Sequence, residues 1–180
     1  CADAPESAAA MLQVLARQKS RRWRETGARD LFADRRYLAF YETMTERYLA
    51  SGLVHVSSLR VGDSVVATQW GMTFGDRFYY LLQGNEFGDW ARFAVGRMLA
   101  MRLIEFSIDR GLATFDLTIG DEPYKRDWAD HSTPLYAYAQ GVSMKGRLAV
   151  ALRDAVERSK KRAKQNDRLV ALARWVRNRR

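Results

Sequence analysis

The sequence predicts a mixed α/β domain, a mostly antiparallel sheet flanked by helices, followed by a basic helical tail. Three observations predict it. Apolar residues recur at helical spacing over 8–25 and again over 37–52. Three runs rich in β-branched and aromatic residues then succeed one another across Gly-Asp pairs at 62–63 and 75–76. After them a long helical pattern leads to a further apolar-aromatic run at 112–119, so the sheet joins a hairpin-built half to a crossover-built half.

Each element has its own signal. Ser7 can cap a first helix carrying Met11, Leu12 and Leu15, and Gly27 ends it. A second helix repeats Leu38, Tyr41, Met44 and Tyr48 and stops at Gly52. LVHVSSLRV, SVVATQWGMTF and RFYYLLQG read as an antiparallel meander. Met98, Leu99, Leu103, Ile104 and Phe106 make the apolar face of the long helix, closed by Gly111. LATFDLTI reads as a fourth strand, GDEPYKRDWADHST as a polar loop or helical turn, and PLYAYAQGV as one more strand. A sheet built from two such halves must splay where they meet, and a splay is a natural place for a ligand.

Composition narrows the function. At 47% hydrophobic and 12% aromatic the chain is globular and not disordered. No apolar run approaches the roughly 20 residues that cross a bilayer. One Cys and two His leave no intrachain disulfide and too few ligands for a Cys- or His-based metal site, so no metal is expected. These features fit a cytoplasmic setting. The net charge of +9 belongs to the end of the chain: residues 145–180 carry thirteen Lys and Arg against three acids, leaving 17 basic and 18 acidic residues over 1–144. The expected division is therefore a domain at 1–144 and a basic amphipathic helical tail at 145–180. No initiator Met opens the chain, so a preceding portion is expected.

The stretch FDLTIGDEPYKRDWA, 115–129, places one acid inside an apparent strand and crowds ionisable groups past its end. Alternation puts Phe115, Leu117 and Ile119 on one face and Asp116 and Thr118 on the other. With helices on both faces, Asp116 is buried and needs partners or a raised pKa. Either it caps nearby backbone N–H groups, or it is a general base at the splay. Tyr124 can donate a proton to a leaving thiolate, or pack the loop together with Trp128; Lys125 can hold an anion, or pair with Asp121.

RRWRETGARDLF (21–32), LRVGDSVVATQWGMTFGDRFYYLLQG (59–84) and AVGRMLAMRLIEFSIDRGLATFDLTIGDEPYKRDWA (94–129) together resemble the GNAT superfamily of acyl-CoA-dependent acyltransferases. Within it the chain is most similar to the CelD-like branch, associated with cellulose or exopolysaccharide biosynthesis and related to FemAB-type transferases. Ala94-Val95-Gly96 stands where related sequences often carry Ser-Pro-Gly. The resemblance implies transfer of an acyl group, acetyl in the simplest case, from acetyl-CoA or another acyl-CoA to an amine or hydroxyl. The pyrophosphate would bind at the start of the long helix, on Val95, Gly96, Arg97 and Met98 with Arg92 near; alternatively Gly96 only relieves packing. A backbone N–H near Leu82 and Gln83 would receive the thioester oxygen. Asp116, Tyr124 and Lys125 would be catalytic, and Gln69, Asn85, Glu86, Asp121 and His131 would face the acceptor, a small molecule or saccharide. Two other readings stay open: a non-catalytic scaffold at the membrane and an aminoacyl transferase of FemAB type. The tail, with Leu148, Leu152 and Val156 and then Leu169, Leu172, Trp175 and Val176 at helical spacing, suits the inner membrane surface or a protein partner, or simple packing on the domain; nucleic acid ranks last because no binding module accompanies the charge.

Overall fold

A computed structural model describes residues 5–120 and 122–165. Two helices come first, α1 (Pro5–Thr26) and α2 (Arg35–Tyr48), then the meander β1 (Val54–Val61), β2 (Ser64–Phe74) and β3 (Arg77–Asn85). α3 (Val95–Asp109) crosses over to β4 (Thr114–Asp116), followed by the single turn α4 (Pro123–Arg126) and by α5 (Met144–Gln165). The sheet order is β1-β2-β3-β4, antiparallel except for the parallel β3–β4 pair. The chain forms two compact units, residues 1–130 and 131–180.

The mixed sheet flanked by helices is the architecture expected from the sequence. α1 begins before Ser7, so Ser7 lies inside the helix and does not cap it. α2 is capped by Asp34, whose carboxylate accepts from Arg36 N at 3.0 Å. Gly62 and Gly75 turn the hairpins with φ of 56° and 61°, a region that disfavours any residue with a Cβ. Two further expectations fail. Residues 134–142 form no strand: Leu135, Tyr136, Tyr138 and Val142 are exposed and no ladder pairs them, and alternation makes a strand only where a partner edge exists. The fourth strand stops after three residues because Thr118 adopts a left-handed φ of 59°. Ile119 is consequently exposed and does not continue the inward face of Phe115 and Leu117.

Helices cover both faces of the sheet. Beneath α1 and α2, Leu12, Leu15, Val54, Val56 and Trp70 are buried, and the Trp70 indole donates to Thr45 Oγ1 at 2.9 Å. Beneath α3, Ala67, Phe78 and Tyr80 pack with Val95, Leu99, Ala100 and Leu103, while Met98 points outward. His55, on this second face, lies 5.3 Å from the ring of Phe78 and 4.7 Å from that of Phe106.

Burial holds the His55 imidazole pKa down to about 4 from the usual 6.5. Between those values the unfolded chain binds the proton and the folded one does not, so this contribution is intact above pH 6.5 and is lost as the pH falls toward 4. Urea melts across that window should show the parent losing stability faster than His55→Phe; parallel pH profiles would contradict this.

Candidate active site

The site begins with a mismatch in length. β3 has nine residues and β4 three, and they pair only along Arg77–Tyr79 and Thr114–Asp116. One further link follows, from Thr118 Oγ1 to Tyr80 O at 3.1 Å, and beyond it β3 runs on with no neighbouring strand on that side among the described residues. A bulge sits at the parting: Gly71 opposes Tyr80 and Trp70 opposes Leu82, so Leu81 is an extra residue. Such a bulge re-aims the strand and leaves backbone polar groups out of the ladder.

α3 starts over this gap. No side chain caps it, and its N-cap, Ala94, is held at a left-handed φ of 49°. An uncapped N-terminus presents backbone N–H groups and the positive end of the helix dipole. Gly96 keeps the approach narrow but open: a Cβ there would collide with the Gln83 amide. A cavity of about 260 Å³ fills the gap, walled by Gln83, Asn85 and Glu86 from the end of β3, by Val95, Gly96, Ala100 and Ile104 from α3, and by Leu117, Tyr124 and Trp128 opposite. Enclosed sites for drug-sized ligands run to roughly 300–1,000 Å³. This one suits the reacting end of a long substrate whose remainder lies outside.

The polar groups are already organised. Glu86 accepts from Gln18 Nε2 at 3.1 Å and from Arg21, and Gln18 accepts from Thr68 Oγ1 at 2.7 Å. Arg97 pairs with Asp127 at 3.1 Å and lies over the Trp128 ring, tying α3 to the opposite wall. Burial, with the negative Glu122 nearby, raises the pKa of the Tyr124 phenol, so it is protonated at neutral pH.

A family model of the acetyltransferase (GNAT) domain matches residues 1–126. The chain belongs to the GNAT acetyltransferase family. It is therefore an acyltransferase domain, of a class that typically takes its acyl group from acyl-CoA. No curated protein and no solved structure matches the chain.

The cavity gathers part of the residues expected in this GNAT domain. Gln83, Asn85, Glu86, Val95, Gly96, Arg97 and Tyr124 all line it. Leu82 packs toward α1 and α2, so only its backbone can serve the gap. Arg92 is exposed over Phe93, and neither it nor Met98 reaches the lining. Asp116 is half-buried outside the lining; it pairs with Arg77 at 3.0 Å and accepts from Thr118 N at 2.7 Å, the capping arrangement that was one of its two readings. Lys125 is also turned away: its Nζ donates to Ile119 O at 3.0 Å and pairs with Glu122 at 2.9 Å, pinning the loop that leaves β4. Gln69 is fully buried, behind the lining. His131 is exposed and belongs to the second unit, and Asp121 lies outside the described residues. Among the described residues no group of three or more His, Cys, Asp and Glu could hold a metal ion.

Sequence reasoning passed over Gln18, Arg21, Phe87 and Trp90. A signal for Gln18 existed, because it falls three residues after Leu15 on the buried stripe of α1. A polar side chain at such a position implies a polar partner on the sheet.

Gln69 has no such partner among the described residues: its amide nitrogen and oxygen are both buried and unbonded. Replacing a buried unsatisfied amide by an apolar side chain of similar shape is neutral or favourable. Gln69→Met should therefore keep or raise stability, by up to about 1 kcal/mol in a chemical melt. A loss of about 2 kcal/mol or more would mean that the amide is bonded in solution.

Proposed function

We propose that this GNAT domain transfers an acyl group, acetyl in the simplest case, from acyl-CoA to an amine or hydroxyl by direct attack. The acceptor we propose is a saccharide of polysaccharide or cell-envelope assembly. The observation that carries the reading is the cavity itself, open between β3 and the β4 exit and roofed by the uncapped start of α3 beside Gly96. Acyl-CoA supplies the activated thioester. The N–H groups of the first turn of α3 suit its pyrophosphate, because they carry the positive end of the dipole and Gly96 keeps side chains off the backbone. The edge of β3 past Leu81 has N–H groups to spare for a developing oxyanion.

Proton handling falls to two side chains on opposite walls. Glu86, held by Gln18 and Arg21, is a carboxylate that can take the proton of the acceptor. Tyr124 keeps its own proton at neutral pH and can give it to the departing thiolate. Phe87, Trp90 and Trp128 offer flat apolar faces beside hydrogen-bonding Gln83 and Asn85, a combination that suits a sugar ring. Asp116 and Lys125 support the floor and the loop, each engaged with its own partner.

Two variants test this. Gly96→Glu places a carboxylate where the pyrophosphate would lie, and its Cβ pushes the flexible end of Gln83 aside; acetyl-CoA binding by calorimetry should fall at least tenfold. Binding unaffected by that charge would remove the phosphate site from α3. Tyr124→Phe should lower kcat about 100-fold, followed as thiol release against a panel of amino and hydroxyl sugars, with acetyl-CoA affinity unchanged. An undiminished kcat would take the acid role from Tyr124.

A further inference from the structure

The function above makes no use of α5, and its surface has an order of its own. Leu148, Leu152 and Val156 are 62%, 59% and 50% exposed, one turn apart along a 22-residue helix. At about 100° per residue, Met144, Leu148, Ala149, Ala151, Leu152, Ala155 and Val156 fall within an arc of about 160°, which Lys145 enters in the first turn and Ser159 and Arg162 enter beyond Val156. Arg147 and Arg158 border that arc on one side and Arg153 on the other, while Asp154 falls on the opposite face. Arg153 also pairs with Asp154 at 3.0 Å. The partly covered residues of the helix, Gly146, Val150 and Asp154, lie away from the arc, so it is the apolar face that meets solvent.

We propose that α5 is a docking surface for an anionic lipid bilayer, lying in the plane of the headgroups with its leucine stripe toward the acyl chains. Charge selects this occupant. Residues 144–165 carry eight Lys and Arg against two acids. A second copy of the chain would bring the same positive charge to the interface, and a nucleic acid has no apolar phase for the stripe. An anionic bilayer supplies both components in one plane: arginines at the borders reach phosphate while their stems lie along apolar surface. Among the described residues no helix is long and apolar enough to cross a membrane, so the attachment is peripheral. Nothing in this inference depends on acyl transfer, and the two readings can fail separately.

The test is flotation of the full chain with vesicles of phosphatidylcholine and phosphatidylserine, roughly 7:3, and with vesicles of phosphatidylcholine alone. The expected result is flotation with the anionic vesicles only, reduced by salt. Changing Leu148, Leu152 and Val156 together to Ser should lower the bound fraction at least tenfold. Changing Arg147, Arg153 and Arg158 to Gln should weaken binding and its salt dependence while keeping the apolar stripe. The inference is overturned by absence of flotation with anionic vesicles, or by flotation that the serine changes leave intact. It is equally overturned by a sedimentation dimer that those changes dissolve, or by tighter binding to a DNA duplex that ignores them.

Discussion

β3 continues for six residues after its last pairing with β4, and among the described residues no strand follows it on that side of the sheet. The constraint is local and backbone in origin. Thr118 turns left-handed, its N–H goes to Asp116, and its hydroxyl closes the last link to Tyr80. A β-branched residue in that conformation is unfavourable by itself and persists only where its surroundings fix it. Here the surroundings are the Arg77–Asp116 pair on one side and Lys125, bonded to the Thr118 and Ile119 carbonyls, on the other. The acids and bases crowded into 115–129 thus hold the parting of the strands more than they face it.

Everything around the gap follows from keeping it open. Ala94 and Gly96 leave the start of α3 uncapped and narrow, while Ala100, one turn deeper, is small enough to leave room beneath. The opposite end of the same interface is filled with aromatic rings: Phe78 stacks on Phe115 at 5.2 Å, where the strands are still paired. Rigid packing at the closed end and small residues at the open end place the cavity where the backbone has polar groups unspent.

The hairpins and the long helix were legible because their signals are local: Gly62 and Gly75 at the turns, and a periodic apolar face ended by Gly111. Gly96, Glu86 and Tyr124, which line the cavity, were legible as candidates because their chemistry fits their place in the order of elements. The bulge at Leu81 was not, since Leu-Leu inside an aromatic run carries no turn signal. The short β4 was misread because Phe-Asp-Leu-Thr-Ile alternates well, and the left-handed Thr118 that ends it is set by tertiary partners. The run at 134–142 failed for the converse reason, good alternation with no edge to join. Asp116 was expected to be buried as the price of sitting in a covered strand; it is half-exposed because the sheet ends there. The second half of the basic tail, with Leu169, Leu172, Trp175 and Val176, lies outside the described residues.

A crystal structure with acetyl-CoA bound tests the central claim most directly. The pyrophosphate should sit on the backbone N–H groups at Val95–Arg97, and the sulfur between β3 beyond Leu81 and the wall made by Leu117 and Tyr124. A closed β3–β4 ladder running on to Asn85, or a ligand bound away from the start of α3, would contradict the account.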